Sequence, residues 1–304
     1  MRDAFGDALL EMAERFPKMV VLDADVATST KTLAFGKAYP ERFFNVGVAE
    51  ANMTDIAGGM ATCGLRPVVS AFAIFLGLKC TDQIRNVLCY NNLPVTLVGG
   101  YCGLSDSFDG ASHQSITDIA IMRAMPNMTV VVPADAVELG QALGQALEHN
   151  GPVYVRISRN EVPVLFENEP PLEIGKIRRI RKGGDITIGA CGSVLSMAIE
   201  AADILVDEGI SAELLEISTI KPIDTEALVA SVSKTGKVLT VEEHNICGGL
   251  GSAVAESLGR HYPARMDFVG IEDTFTESGP YDDLLTKYKI SVKDIVEKAK
   301  ALCG

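Results

Sequence analysis

The sequence is poor in positive charge and has no long apolar run. Its 27 lysines and arginines are outnumbered by 40 aspartates and glutamates, which gives a net charge of −13 at pH 7. A chain of this sign repels the phosphates of nucleic acids and of anionic lipids, so neither is an expected partner. The most apolar stretch, residues 68–78, is shorter than the ~20 residues that cross a bilayer. The N-terminus opens into a charged amphipathic helical pattern, which argues against a signal peptide.

The cysteines lack the spacing of a metal site. The seven cysteines include no Cys-x-x-Cys pair, and no histidine stands near them in an arrangement that would suggest zinc; they are Cys63, Cys80, Cys89, Cys102, Cys191, Cys247 and Cys303. Such a pattern does not fit zinc binding, and an odd number of scattered cysteines is typical of reduced thiols. We therefore expect free cysteines, several of them buried, in a cytoplasmic protein.

Short apolar runs alternate with helical patterns along the first half of the chain. The runs occupy residues 19–22, 43–46, 67–70, 94–98, 128–132 and 153–157, and helical patterns such as 81–90 and 136–149 lie between most of them. Continuous apolar runs separated by helices indicate a parallel sheet that is covered on both faces.

The regular alternation stops between Asn160 and Gly184, where prolines and charged residues accumulate, and then restarts. A length of 304 residues also fits two domains of roughly 150 residues each. We therefore predict an α/β fold made of two consecutive α/β sandwich domains with mainly parallel sheets. The first covers residues 1–165, a linker covers 166–183, and the second, smaller domain covers 184–304.

Ligands of parallel sheets bind at the carboxyl ends of the strands, which directs attention to the loops that follow the runs. Glu50 follows one of them and opens a helix, so it is either a surface carboxylate favoured by the helix dipole or a desolvated one that shares a proton. Phe72 and Phe75 are either plain core or an apolar wall for a flat ring.

The loop at residues 101–114 is long, polar and rich in glycine, which is typical of functional loops. Ser115 and Asp118 after it form a capping pattern for the next helix. His113 is not explained by capping and is a candidate for proton transfer. Arg159, at the end of another run, either binds an anion or is solvated.

Two further patterns favour structural roles. The glycines at residues 248–251 lack the third glycine of a dinucleotide-binding fingerprint, so they predict a tight turn from strand to helix, and a nicotinamide enzyme ranks last among the alternatives. The basic run at residues 176–182 indicates a solvated edge strand or hairpin arm, because charged edges resist pairing with other sheets.

Seven segments occur in the order in which a known family has them. They are residues 47–53, Phe72 with Phe75, 109–114, 126–128, 133–135, Ser158 with Arg159, and 242–251. Together they resemble the transketolase family, specifically its pyrimidine-binding domain followed by its C-terminal domain, and the match spans almost the whole chain.

The resemblance implies a thiamine diphosphate site. Glu50 matches the catalytic glutamate that hydrogen-bonds N1′ of the aminopyrimidine, Phe75 matches the aromatic that stacks on that ring, and Phe72 matches an adjacent wall. Asp25 matches an aspartate of the cofactor site. Leu78 stands where the family has a tyrosine beside the pyrimidine.

The resemblance also implies substrate contacts and a reaction. Ser29, Asp109, His113 and Arg159 match residues that bind the sugar, with Ser29 and Arg159 at its phosphate end, and His113 is expected to be catalytic as well. Tyr101 stands where many transketolases have a histidine. The implied reaction moves a two-carbon ketol unit from a ketose, phosphorylated or not, to an aldose acceptor.

One family feature is missing. The family holds the diphosphate through Mg²⁺ on a Gly-Asp-Gly motif in an N-terminal domain, and this sequence contains no Gly-Asp-Gly. We therefore expect no metal ligand in this chain and a partner, the N-terminal transketolase subunit, that supplies the Mg²⁺ site in a heterotetramer of two copies of each chain. The alternatives are a subunit similar to the β-subunit of 2-oxoacid dehydrogenases or to deoxyxylulose-phosphate synthase, which would use pyruvate, and a non-catalytic binding protein.

Overall fold

The apolar runs of the sequence become strands in the computed structural model, which describes residues 1–304. Twelve strands form two sheets: β1 (Met19–Asp23), β2 (Phe43–Asn45), β3 (Arg66–Phe72), β4 (Thr96–Gly100), β5 (Thr129–Val131), β6 (Val153–Arg156), β7 (Arg178–Arg181), β8 (Ile186–Ala190), β9 (Ala212–Glu216), β10 (Thr219–Lys221), β11 (Lys237–Asn245) and β12 (Arg265–Ile271).

Helices connect most successive strands. They are α1 (Arg2–Arg15), α2 (Ala27–Thr30), α3 (Leu33–Ala38), α4 (Glu50–Thr62), α5 (Ala73–Lys79), α6 (Thr81–Gln83), α7 (Asp118–Ala124), α8 (Ala136–Glu148), α9 (Leu195–Asp207), α10 (Thr225–Thr235), α11 (Leu250–His261), α12 (Tyr281–Lys287) and α13 (Val292–Cys303). Short 3-10 turns cover Pro40–Arg42 and Gly192–Val194, and a π-helical turn, Ile84–Cys89, continues α6.

The first sheet has the strand order β10-β5-β6-β4-β3-β1-β2. All its pairs are parallel except β10 with β5. Strand β10 comes from the second half of the chain and was not predicted, because its three residues carry too little pattern to be recognised in the sequence. The two halves therefore share a sheet as well as a chain.

The second sheet has the order β12-β11-β8-β9-β7, and only its edge strand β7 is antiparallel. The predicted fold of two α/β sandwiches with mainly parallel sheets is confirmed. The basic run does form an edge strand, but Arg178 within it is not simply solvated, since it pairs with the buried carboxylates of Glu138 and Glu216. The boundaries at residues 165 and 184 stay a prediction.

Each face of the first sheet has its own core. Val21 and Val68 point to one side, where α1 and α8 cover the sheet. Leu22 and Val69 point to the other side, into a core that continues through Leu228 and Val254 of the second half. This alternation is what a strand that is buried on both faces requires. The two halves are thus packed through shared apolar side chains.

The cysteines are all free, and four of them are buried, as predicted. None of the helices is both long and apolar enough to span a membrane.

Candidate functional site

The strand order places several predicted site residues at one edge of the first sheet. Phe72 ends β3, and Tyr101 immediately follows the neighbouring strand β4. Arg159 follows β6, which lies on the other side of β4, and Asp25 follows β1, which lies beside β3. Because the strands are parallel, these four residues all lie at the carboxyl ends, where ligands bind in such sheets.

Phe72 and Tyr101 form a continuous assembly of rings with two further predicted residues, Phe75 and His113, and we call these four residues the aromatic cluster. The rings of Phe72 and Tyr101 are stacked with centroids 4.3 Å apart, and Phe72 lies 5.9 Å from Phe75. His113 meets Phe75 edge-on at 5.3 Å. His113 Nδ1 also lies 2.9 Å from the hydroxyl of Ser112, which fixes the orientation of the imidazole.

Glu50 is a buried carboxylate, with 7% of its side chain exposed, and therefore not the surface residue that the simpler interpretation predicted. It begins α4 without any hydrogen bond that caps the helix. Its two oxygens instead accept hydrogen bonds of 3.0 and 3.2 Å from Nζ of Lys79. That ammonium also lies 4.2 Å from the ring centroid of Phe75, within the range of a cation–π contact.

Lys79 was not identified from the sequence. The available signal was its position four residues after Phe75, which puts both side chains on one face of the short helix α5. Through Lys79, Glu50 is joined to the aromatic cluster. Glu50, Phe75 and His113 therefore lie in one contiguous group, although 63 positions separate the first from the last.

Arg159 lies at the opposite end of the aromatic cluster. Its guanidinium carbon is 5.1 Å from the ring centroid of Tyr101, and its Nη1 donates a 2.9 Å hydrogen bond to Asp106. The hydroxyl of Tyr101 accepts a hydrogen bond of 2.7 Å from Arg2 and donates one of 3.3 Å to the carbonyl of Ser29. Ser29 and Arg159 thus both adjoin Tyr101.

Asp106 is a second residue that sequence reasoning missed. Its side chain is fully buried, and one carboxylate oxygen, Oδ2, has no hydrogen-bond partner. Burial, together with the nearby negative charge of Asp109, raises the pKa of Asp106 to about 6, although Arg159 and His113 oppose the shift. No sequence pattern marks it, because the pairing with Arg159 spans 53 positions.

The remaining predicted residues lie around this group. Asp109 is exposed, next to Asp106. Asp25 is exposed, has a positive φ of 66° and accepts a 3.0 Å hydrogen bond from Asn45, but no hydrogen bond connects it with the aromatic cluster. Leu78 lines a cavity of about 530 Å³ between the two halves, together with Ile74, Ser112, Gln114, Asn245 and Phe275, and this cavity adjoins His113 through Ser112.

The second half of the chain holds the loop at residues 101–114 in place. Glu243 on β11 accepts hydrogen bonds from the backbone N–H of Leu104, at 2.6 Å, and from the hydroxyls of Ser193 and Tyr281. The side-chain amide of Gln114 donates to the carbonyl of Glu277, at 3.0 Å. The loop that carries Asp106, Asp109 and His113 is therefore positioned by the second half of the chain.

The predicted capping role of Ser115 and Asp118 is wrong. The residue at the N-cap position of α7 is Thr117, and no side chain makes a capping hydrogen bond there. Asp118 is fully buried and pairs with Arg156 at 2.8 Å, while the hydroxyl of Tyr154 donates to the same oxygen at 2.7 Å. The pattern misled because a carboxylate in the first turn of a helix fits both a cap and a long-range ion pair.

The turn at residues 248–251 is the predicted tight connection from β11 to α11. The carboxylate of Glu242 accepts hydrogen bonds from the backbone N–H groups of Leu250 and Gly251 at 2.7 and 2.8 Å. A fully buried position raises the pKa of Glu242 to about 7. A side chain of this chain, rather than a phosphate, thus satisfies the N-terminus of α11.

The residues present fit one half of thiamine diphosphate. An aminopyrimidine offers a ring nitrogen to a carboxylate and a flat face to an aromatic ring, and Glu50 with Phe75 presents those two partners around the single point now taken by the ammonium of Lys79. The anionic half requires a metal, and no group of three or more His, Cys, Asp or Glu side chains in this chain is arranged to hold one.

Comparison with known proteins gives two domain families. The transketolase pyrimidine-binding domain matches residues 1–164, and the transketolase C-terminal domain matches residues 175–295. Among solved structures, a split-gene transketolase described as an inactive β4 tetramer has 44% sequence identity and a TM-score of 0.93, over 99% of this chain and 97% of that one. A transketolase from Campylobacter jejuni, at 23% identity and a TM-score of 0.82, shares the fold over 99% of this chain and 46% of its own length.

Curated relatives agree with these matches. A transketolase C-terminal section from Methanocaldococcus jannaschii is 42% identical over 98% of this chain and 94% of its own length. A 6-deoxy-6-sulfo-D-fructose transketolase subunit from a Clostridium species is 40% identical over 98% and 93%. A 1-deoxy-D-xylulose-5-phosphate synthase from Desulfotalea psychrophila is 35% identical over 97% of this chain but only 46% of its own length. The chain belongs to the transketolase family, of which it carries the pyrimidine-binding and C-terminal domains.

Proposed function

We propose that this chain is the C-terminal subunit of a split, thiamine diphosphate-dependent transketolase. The observation that carries the proposal is the buried carboxylate of Glu50, which binds the same Lys79 ammonium that lies over the face of Phe75. Through Phe75 and the aromatic cluster, this carboxylate is continuous with His113 and Arg159 at the carboxyl edge of the sheet. The missing Gly-Asp-Gly motif and the similarity to a split-gene transketolase support the split arrangement.

In this proposal each residue has a distinct task at the cofactor. When bound, thiamine diphosphate supplies the carbanion chemistry that protein side chains cannot. Glu50 holds the pyrimidine ring nitrogen and shares a proton with it, and Phe75 packs against the ring with Phe72 behind it. Asp25 and Leu78 stay predicted cofactor contacts at the edges of this site.

The substrate tasks fall to residues around the aromatic cluster. His113, fixed by Ser112, hydrogen-bonds the sugar and transfers protons to its oxygens. Asp109 and Tyr101 contact the sugar, and Arg159 and Ser29 bind its far end. The transferred group is a two-carbon ketol unit, which passes from a ketose to an aldose.

The diphosphate and Mg²⁺ are assigned to a partner chain. The strongly charged end of the cofactor needs oxygen ligands for the metal, and we propose that an N-terminal subunit with Gly-Asp-Gly and a later Asn-Asn supplies them. Two copies of each chain would form the active heterotetramer.

The test is reconstitution. Purified chain is mixed with the candidate N-terminal subunit, thiamine diphosphate and Mg²⁺, and the transfer of a ketol unit from a ketose to an aldose is measured. We expect activity only in the mixture. Full activity of the isolated chain would refute the split arrangement.

Variants then test the assigned site. Glu50→Gln keeps the size of the side chain but removes its ability to share a proton, so we expect transfer to fall by about 10²–10⁴-fold or more. Glu41→Gln, at an exposed glutamate, is the matched control and should retain full activity. Size-exclusion chromatography has to show the same assembly for both variants.

A second candidate is a subunit that uses pyruvate. It is favoured by the similarity to 1-deoxy-D-xylulose-5-phosphate synthases, of which this chain spans about half the length. The donor distinguishes the two. Consumption of pyruvate, with no consumption of ketose, by the reconstituted complex would favour this second function.

A further inference from the structure

Asp106 is a buried charge for which the proposed function has no task. Its Oδ1 accepts a 2.9 Å hydrogen bond from Arg159, while its Oδ2 is buried without a partner. The charged or titratable groups that face it are Asp109, Arg159 and His113. A buried carboxylate of this kind is expensive to maintain unless it has a role.

Arg159 is held firmly but stays accessible. Its backbone N–H donates to the hydroxyl of Ser105 at 3.1 Å, its Nη1 is bound to Asp106, and its guanidinium lies against Tyr101. Nevertheless 37% of the side chain is exposed. A guanidinium has five N–H donors, so those not used by Asp106 can bind a ligand.

The charges around Arg159 decide which ligand it prefers. Asp106 balances the positive charge of Arg159, and Asp109 adds a further negative charge. The other guanidinium near Tyr101, that of Arg2, already donates a hydrogen bond to the Tyr101 hydroxyl. A phosphate dianion bound to the free donors would be separated from the carboxylate of Asp106 only by the guanidinium of Arg159. Like charges this close repel each other. A hydroxyl accepts the same hydrogen bonds without that repulsion.

This reasoning rests on the proposed function, because it places the far end of the substrate at Arg159. We propose that Asp106 is a specificity-determining residue: by neutralising Arg159, it makes the site select sugars whose end is an uncharged hydroxyl over sugars that end in a phosphate dianion. The positive charge expected to attract phosphate is thus cancelled within this chain, in keeping with its overall net charge of −13.

The first experiment compares two donors that differ only in phosphate. For the complex reconstituted with its partner, kcat/KM is measured with D-fructose 6-phosphate and with D-fructose. Asp106→Asn removes the charge but keeps an oxygen for Arg159, and we expect it to raise the ratio of the two values at least about tenfold, equivalent to about 1.4 kcal/mol. Glu161→Gln, an exposed carboxylate two residues beyond Arg159, should leave the ratio unchanged.

The second experiment needs no turnover. Binding of inorganic phosphate to the full chain is measured by calorimetry, and Asp106→Asn should tighten it about tenfold at pH 7.5. In the unmodified chain the affinity should rise as the pH falls from 7.5 to 5.5, because protonation of Asp106 frees Arg159. Asp106→Asn reports how much of that rise comes from phosphate and from groups other than Asp106.

The outcomes separate this proposal from the one it rests on. If the variant leaves phosphate affinity and the donor ratio unchanged, or lowers them, Asp106 merely orients Arg159 and the proposal is overturned. If phosphate binding tightens but neither donor is consumed, the proposed transketolase function fails while the role of Asp106 stands. Should Asp106→Asn not fold, the pH dependence of phosphate binding in the unmodified chain decides: a rise no larger than the protonation of phosphate itself accounts for contradicts the proposal.

Discussion

The ion pair between Arg156 and Asp118 should be one of the most costly single contacts to break in this chain. Both side chains are buried, at 3% and 0% exposure, and their atoms are 2.8 Å apart. Arg156 also donates hydrogen bonds of 3.0 Å to the carbonyls of Ser115 and Glu243, and so connects the two halves of the chain. Removing the guanidinium takes the hydrogen-bond donor of Arg156 away from one buried carboxylate and two carbonyls.

The expected loss follows from that geometry. Leaving one partner of a buried ion pair unpaired costs about 3–5 kcal/mol. We therefore expect Arg156→Met, which keeps the apolar length of the side chain, to lower the free energy of unfolding by about 3–5 kcal/mol. The measurement is the midpoint and slope of urea unfolding. The matched control is Arg123→Met, whose partner Glu256 is 60% exposed, and it should lose only about 0–1 kcal/mol.

The pH dependence provides an independent check on the same pair. Burial alone would raise the pKa of Asp118, but the charges of Arg156 and His244 and its hydrogen bonds outweigh burial and hold the pKa below the ordinary 3.8. A lowered pKa contributes stability that is present above pH 3.8 and is lost as the pH falls through the folded-state value. The part of the Arg156→Met loss that comes from this pKa should therefore be full from pH 7 down to about pH 4, and shrink only as the pH falls below 3.8.

A double variant then isolates the pair itself. Arg156→Met combined with Asp118→Asn leaves no unpaired charge, so it should be less destabilised than the sum of the two single variants. A loss below about 1 kcal/mol for Arg156→Met at pH 7, or strict additivity in the double variant, would refute this reasoning.

Three further variants test other parts of the molecule. Lys79→Met removes the ammonium that now binds the carboxylate of Glu50, so calorimetry should show thiamine diphosphate binding the reconstituted complex at least threefold more tightly. Unchanged affinity would contradict the idea that Lys79 and the cofactor compete for Glu50. Gly103→Ala should destabilise the chain more than Gly64→Ala in urea unfolding, since both glycines have a positive φ but only at Gly103 would a Cβ overlap a carboxylate. Burial lowers the pKa of His244 in the folded chain from 6.5 to about 4, so between these pH values only the unfolded chain protonates this imidazole and the folded chain loses stability. His244→Gln removes the imidazole, so we expect its melting temperature to fall less than that of the unmodified chain between pH 6.5 and pH 4.

Much of the fold could be predicted because it is encoded locally. The apolar runs of β1, β3 and β4 are continuous, so their burial on both faces could be inferred without knowing their neighbours. Strand β10 could not be predicted, since its three residues become a strand only by pairing with β5 across 88 positions of sequence. The order of the strands was also not available from the sequence, although it decides which loops meet.

The candidate site divides in the same way. Residues such as Glu50, Phe75 and His113 stand in recognisable segments, so their roles could be hypothesised from the sequence. Asp106 and Lys79 stand in no recognisable pattern, and their importance comes from what they contact: Asp106 meets Arg159 across 53 positions, and Lys79 meets Glu50 across 29. Charge pairing at such separations depends on the fold, and local sequence carries no signal for it.

The second half of the chain has a task at the site although it contributes no residue to the aromatic cluster. Glu243 holds the N–H of Leu104 at the start of the 101–114 loop, and the carbonyl of Glu277 holds Gln114 at its end. A loop that is hydrogen-bonded at both ends loses conformational entropy when the protein folds. Asp106 and His113 are therefore already ordered before any ligand binds, and binding does not have to lose that entropy again. The buried carboxylate of Glu243 is stable only because three donors satisfy it, two of them hydroxyls from the second half. The loop at residues 101–114 and the second half of the chain therefore stabilise each other, which is a physical reason for the two domains to occur together in one chain.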